Sequence, residues 1–162
     1  MQAKDYVQTL KLQAHPEGGY FAENYRSSLE IQAAGFGGMR NAATSIYFLL
    51  EAGQFSALHR IKSDEIWHFY EGGPLDIIEI DLNGALVITR LGRNLPEGEK
   101  LSYTVLAGHW FGSRPSAGTE FSLVGCTVSP GFDFADFEMP PQAWFLQAFP
   151  QHEGIIREIT RP

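Results

Sequence analysis

His59-Arg60-Ile61-Lys62-Ser63-Asp64-Glu65-Ile66-Trp67-His68-Phe69-Tyr70-Glu71-Gly72 reads as a strand, a tight turn and a second strand. The turn, Lys62-Ser63-Asp64, is polar and small, and its flanks are β-branched and aromatic with a period near two. His59, Ile61, Glu65, Trp67 and Phe69 fall on one face. A His and a Glu sharing an apolar, aromatic-walled face mark a candidate site rather than a solvated surface.

Outward from this unit the same texture continues. Tyr20 to Arg26 alternates as a strand, and Ala42 to Leu50 is apolar on both faces, so it is expected to be a buried or an interface strand. Further strands are expected at 55–61, 65–71, 74–81, 85–91, 101–106, 109–113 and 119–129, with Asn83-Gly84 as a hairpin turn. Residues 3–12 place Tyr6, Val7 and Leu10 on one side of a short amphipathic helix. His15-Pro16-Glu17-Gly18-Gly19 ends it and reads as turn chemistry, with Gly18 or Gly19 at positive φ and Glu17 or Tyr20 at the edge of a lid. Ala33 to Gly38 reads as a mobile loop, Gln142 to Phe149 as a short helix behind Pro140-Pro141, and Ile155, Ile156 and Ile159 as a final strand. Many short strands with frequent turns predict an all-β sandwich or barrel.

At 162 residues the chain is expected to be one domain, residues 1–162, and 44 % hydrophobic residues supply a sizeable core. A net charge of −7 argues against nucleic acid as a partner. No apolar run long enough to span a membrane occurs, and the start lacks the pattern of a signal peptide. The single cysteine, Cys126, permits no intrachain disulfide, so a reducing, cytoplasmic setting is expected. Cys126 itself lies in an apolar strand and reads as a small buried hydrophobe.

The residues around His59 resemble the cupin superfamily. Its first motif runs Gly, five positions, His-x-His, three or four positions, Glu, six positions, Gly, and here Gly53, His59, Ile61, Glu65 and Gly72 stand in that frame. Its second motif, Pro-x-Gly-x-x-His, is matched by Leu106-Ala107-Gly108-His109-Trp110-Phe111. The blocks His15–Phe21, Ser45–Leu50, His59–Gly72 and Phe121–Phe134 are similar to one small branch, the cupin five family. The resemblance implies a double-stranded β-helix jelly roll (RmlC-like) with short N-terminal and C-terminal helices, and it brings no settled reaction.

Cupin metal sites use three His and one Glu. Ile61 and Phe111 occupy two of those positions and cannot ligate, so no metal or other cofactor is expected; a metal would need His59, Glu65 and His109, or His68 in place of the last. His68 is expected on the opposite side of the sheet from Glu65. Acid–base chemistry suits the residues better, as in cupins resembling sugar-nucleotide epimerases. His59 is then the base, Glu65 its orienting partner, Tyr47 or Tyr103 the acid, and Arg60 or Arg26 an anion anchor. Trp67, Phe69, Phe111 and Tyr20 are expected around the ligand.

The function implied is a small-molecule-binding cupin, acting as a metal-independent sugar or sugar-nucleotide isomerase or epimerase. The alternatives are a non-catalytic binding or storage module and a metal-dependent, dioxygenase-like cupin. The expected partners are a small polar molecule in the barrel and a second copy of the chain in a homodimer, with neither nucleic acid nor membrane.

Overall fold

The computed structural model describes residues 1–162. In chain order the elements are α1 (Ala3–Thr9), β1 (Gln13–Ala14), β2 (Tyr20–Arg26), β3 (Glu30–Gln32), β4 (Met39–Asn41), β5 (Thr44–Glu51) and β6 (Ser56–His59). They continue with β7 (Asp64–Gly72), β8 (Leu75–Ile80), β9 (Leu86–Leu91), β10 (Ser102–Val105), β11 (Trp110–Pro115), β12 (Phe121–Ser129), α2 (Gln142–Ala148) and α3 (Glu153–Ile159). A six-stranded sheet, β1-β2-β5-β12-β7-β10, faces a four-stranded sheet, β6-β11-β8-β9, while β3 and β4 form a separate hairpin. The expected all-β jelly roll with short terminal helices is what forms.

The core lies between the two sheets. Phe48, Leu50, Trp67, Leu75, Ile77 and Phe111 anchor it, each no more than 1 % exposed. Strand β8 is buried at every position because both of its faces are covered. Leu75 and Ile77 face the core; Ile78 and Ile80 face the C-terminal helices, against Phe145, Ile156 and Ile159. Each such aliphatic side chain contributes roughly 1.5–3 kcal/mol by leaving water.

Strand β5 shows the same two-sided burial. Phe48 and Leu50 point inward, and Leu49 packs outward with Leu12 and Leu123 beneath Tyr6, Val7 and Leu10 of the N-terminal helical segment. The apolar outer face expected to serve a partner is therefore covered by the chain's own N-terminus. Two local expectations change as well. Ala33 to Gly38 is the loop of the β3–β4 hairpin, and Ile155, Ile156 and Ile159 sit on α3 rather than on a strand. Their spacing brings them to one helical stripe, which the barrel's outer face buries. At the β8–β9 turn, the Asp81 carboxylate accepts from the amides of Asn83 and Ala85 at 2.8 and 2.9 Å, and Gly84 takes φ +80°.

Candidate functional site

Cross-strand rows deliver side chains to the barrel interior. In the six-stranded sheet one row runs Arg26, Thr44, Val128, Glu65, and the next Glu23, Ile46, Cys126, Trp67. Opposite them His59 on β6 pairs with Phe111 on β11. Between these walls lies a cavity of about 320 Å³. Phe134, 59 % exposed, stands at its mouth, so the cavity reaches solvent.

The turn between β1 and β2 closes the inner end. Gly18 and Gly19 take φ +120° and +75°, and a Cβ on Gly18 would sit 2.0 Å from the Phe55 carbonyl oxygen. Glycine alone lets the turn press this closely against the barrel. Its backbone is tied down where the amide of Ala57 and the guanidinium of Arg161 donate to the Glu17 carbonyl at 2.9 and 3.0 Å. The Glu17 side chain is thereby driven inward, where it is 7 % exposed.

There Glu17 meets His59. The His59 Nδ1 lies 2.7 Å from the Ala57 carbonyl oxygen, which only accepts, so Nδ1 carries the proton and Nε2 a lone pair. His59 Nε2 lies 3.1 Å from Glu17 Oε2, and Ser56 Oγ donates to Glu17 Oε1 at 2.9 Å. Burial lowers His59 to about 4 and raises Glu17. Both shifts oppose full charge on the two partners, and burial is the chief cause of each. His15 is also held neutral, lowered chiefly by burial, and its Nδ1 accepts from the Glu17 amide at 3.2 Å.

Glu65 faces the same cavity from β7. Burial, reinforced by the nearby Glu17 carboxyl, raises it to about 8 against an opposing hydrogen bond from Cys126. Glu65 is thus protonated at neutral pH. The Cys126 thiol is pushed well up, chiefly by burial and then by Glu65, so it stays S–H. It lines the cavity beside Glu65 as well as filling the core.

Of the residues expected at the site, His59 and Glu65 line the cavity, and Glu17 rather than Glu65 is the carboxyl that lies within hydrogen-bond distance of His59. Tyr47 and Tyr20 lie on the outer face with the α1 cluster, because their neighbours Ile46, Phe48 and Phe21 point inward. Arg60 alternates away from His59 and Ile61; its guanidinium lies 4.3 Å from the Trp110 ring centroid and pairs with Glu138 at 2.8 Å. Trp67 and Phe69 belong to the core, and Phe111 lies against the His59 ring at a centroid separation of 4.2 Å. His68 points outward to Thr127, as its place on the strand predicts.

Tyr103 and His109 form a different cluster. Tyr103 donates to Glu79 Oε2 at 2.6 Å, and His109 Nδ1 bonds the other oxygen of the same carboxylate. In register, Phe111 separates His59 from Glu79, and Trp67 separates Cys126 from Tyr103. Edge-on Trp67 and Phe111, 6.2 Å apart, wall the two polar groups off from each other. His109 therefore cannot complete a metal site with His59 and Glu65. Nowhere do three or more His, Cys, Asp or Glu side chains gather as a metal site would require. The donor set offered by this fold does not fit a bound transition metal.

Sequence reasoning missed the depth of Glu17 and the aromatic mouth formed by Phe21, Phe132 and Phe134. The paired glycines after Glu17 were the available signal, since such a pair permits unusually close backbone approach.

A family model described as Cupin superfamily (DUF985) matches residues 4–140. A hypothetical protein from Leishmania major is 37 % identical over 100 % of both chains, with a TM-score of 0.93. A Shewanella oneidensis protein is 40 % identical over 100 % of this chain and 99 % of its own, also at 0.93. More distantly, oxalate decarboxylase from Bacillus subtilis shares 15 % identity over 90 % of this chain and 36 % of its own, with a TM-score of 0.57, a likeness of fold alone. No curated protein matches.

Proposed function

The chain belongs to the cupin superfamily, in the family described as DUF985, and we propose that it binds a small polar molecule in the barrel cavity and isomerises or epimerises it by proton transfer. The observation that carries this reading is the set of buried acid–base groups around one solvent-reaching cavity: Glu65, and Glu17 within hydrogen-bond distance of His59. Burying such groups without a counter-charge is costly, and sites that move protons tolerate the cost.

Glu65, protonated at neutral pH, donates to a ligand oxygen while the Glu17–His59 pair accepts a proton from the adjacent carbon. One proton leaves Glu65 as another joins the Glu17–His59 pair, so the net charge of the cavity stays constant through the step. Returning the two protons at changed positions completes an isomerisation, with no atom gained or lost. Glu65 thus replaces the tyrosines as acid, and Glu17 joins His59 in accepting the proton.

Incubation of the protein with aldoses and ketoses in D2O, followed by proton NMR, tests this. Deuterium should enter at the carbon beside the carbonyl, and His59→Ala should abolish the exchange while the fold persists. A ligand that binds and shows no exchange removes the catalytic part. One observation favours a purely binding module: both ring nitrogens of His59 are already engaged, by Ala57 and by Glu17. A reducing, cytoplasmic setting suits the lone buried thiol of Cys126. A homodimer stays part of this reading, through a surface other than the covered outer face of β5.

A further inference from the structure

We infer that the ligand of this cavity is an uncharged, hydroxyl- or carbonyl-bearing molecule of hexose size, that the Glu65 carboxyl donates a hydrogen bond to it, and that phosphorylated and carboxylated molecules are excluded. This rests on the cavity's being the ligand site and extends the proposed function by naming the class of molecule it takes.

The argument begins with the cations. Arg26 is the one Lys or Arg side chain that lines the cavity. Its Nε and Nη2 donate to the two oxygens of Glu23, each at 2.8 Å, and its Nη1 donates to Asn41 Oδ1 at 2.8 Å and to the Phe132 carbonyl at 3.2 Å. Four of its five N–H groups are thus engaged, and its charge is already paired with the Glu23 carboxylate. Arg60, the other expected anchor, stacks on Trp110 outside the cavity.

The carboxyl groups point the same way. Glu17 and Glu65 stand at the inner end, and Glu23 and Asp133 at the mouth. A phosphate or carboxylate entering would lose its water against four carboxyl groups, and the one cation at the cavity is already paired with Glu23. An organic cation would require Glu65 to surrender its proton and would leave a buried ion pair, whose desolvation offsets much of the attraction. A neutral molecule enters with every group in its resting protonation state. Phe21, Ile46, Ile61 and Phe132 offer apolar faces to its C–H surface, and Glu65 offers an O–H donor to its oxygen. The volume of about 320 Å³ lies at the small end for ligand cavities and does not admit a sugar nucleotide whole.

The groups facing Glu65 decide how binding responds to pH. Glu17 and His15 approach from the β1–β2 turn, His59 from β6 and Cys126 from β12; Glu23 and Arg26 from β2 and Asp133 after β12 complete the ring. The neighbour from β10 is Val105, which carries no charge. His59 stays neutral above about 4 and Cys126 stays a thiol, so the titration near pH 8 is that of Glu65, beside a Glu17 that burial also raises.

Calorimetric titration of the full chain tests the proposal with four probes: D-glucose, a hexose monophosphate, D-gluconate and choline, a permanently charged cation. Each is measured one pH unit below and one above the Glu65 pKa of about 8. D-Glucose is expected to bind, and to bind about tenfold more weakly at the higher pH. The phosphate and the gluconate should bind at least about tenfold more weakly than glucose at the lower pH. Glu65→Gln, whose amide does not titrate, should lose the pH dependence of binding; should that variant misfold, the wild-type pH profile decides alone.

Tighter binding of either anion overturns the proposal. So does choline binding that strengthens as pH rises, which would make the cavity a cation site, and so does the failure of all four probes to bind. Binding and exchange are read separately: glucose binding without exchange leaves this proposal standing and removes only the catalytic part, whereas anion or choline binding alongside exchange overturns this proposal and leaves the proton transfer standing.

Discussion

Glu17 Oε2 lies 3.1 Å from His59 Nε2 inside the barrel, and burial discourages full charge on either partner. The contact joins a glycine-bounded turn on one side to a strand of the four-stranded sheet on the other. It sets the tautomer of the histidine and the protonation of the carboxyl together, because the Ala57 carbonyl takes up Nδ1.

Removal of Glu17 should be felt in stability as well as in chemistry. Glu17→Ala leaves Ser56 Oγ and His59 Nε2 buried without their partner, at a cost of about 1–3 kcal/mol. Glu17→Gln keeps much of the packing and the hydrogen bond from Ser56 and should lose far less. Urea denaturation of both variants measures the difference, and equal losses would contradict the role given to the hydrogen bonds.

The pH dependence of stability follows from two opposed shifts. His59 is lowered from 6.5 to about 4, so between those values the unfolded chain binds more protons and stability falls as pH falls. Glu65 is raised from 4.5 to about 8, so between those values the folded chain binds more protons and stability falls as pH rises. The slopes of these two groups largely cancel from about 4.5 to 6.5; above that His59 no longer opposes Glu65, and Glu17, also raised by burial, acts in the same direction as Glu65. Stability should drop by about 2 kcal/mol from pH 6.5 to 8. Glu65→Gln should abolish that drop in denaturation curves taken across the window; an unchanged drop in the variant assigns it elsewhere.

The two tyrosines should separate cleanly. Tyr47→Phe, on the outer face, should leave both ligand binding and exchange unchanged. Tyr103→Phe deprives Glu79 Oε2 of its donor and should cost about 1–3 kcal/mol in thermal or urea unfolding, with exchange unaffected. Loss of exchange in either variant would return a tyrosine to the site.

Gly18→Ala should dislodge the turn that carries Glu17. The residue sits at φ +120° and its Cβ would meet the Phe55 carbonyl at 2.0 Å, so the backbone must shift, at a cost on the order of 1–3 kcal/mol. The barrel strands should persist by circular dichroism while the His59 ring resonances move in NMR spectra. Unmoved resonances would show that the turn does not hold the pair.

The strands, the jelly roll and the shared face of His59, Ile61 and Glu65 were legible in the sequence, because a strand's period of two assigns faces locally. The same rule puts Arg60 outside, yet long-range considerations of charge drew it to the site. Ile61 and Phe111 were equally legible as departures from the cupin metal-ligand pattern, since side-chain chemistry needs no coordinates. Ile155, Ile156 and Ile159 were ambiguous, because a short apolar run fits a strand or one stripe of a helix, and packing against Phe145 and Trp110 selected the helix.

Partnership across the barrel was beyond reach of local pattern. That Glu17 rather than Glu65 meets His59, that Tyr103 and His109 share Glu79, and that Arg26 pairs with Glu23 and bonds Asn41 and Phe132 depend on register between strands distant in the chain. Periodicity tells which way a side chain points. What it meets there is settled by how the two sheets close and how far a pair of glycines lets one turn approach the other wall, and burial at that meeting then sets the charge each group carries.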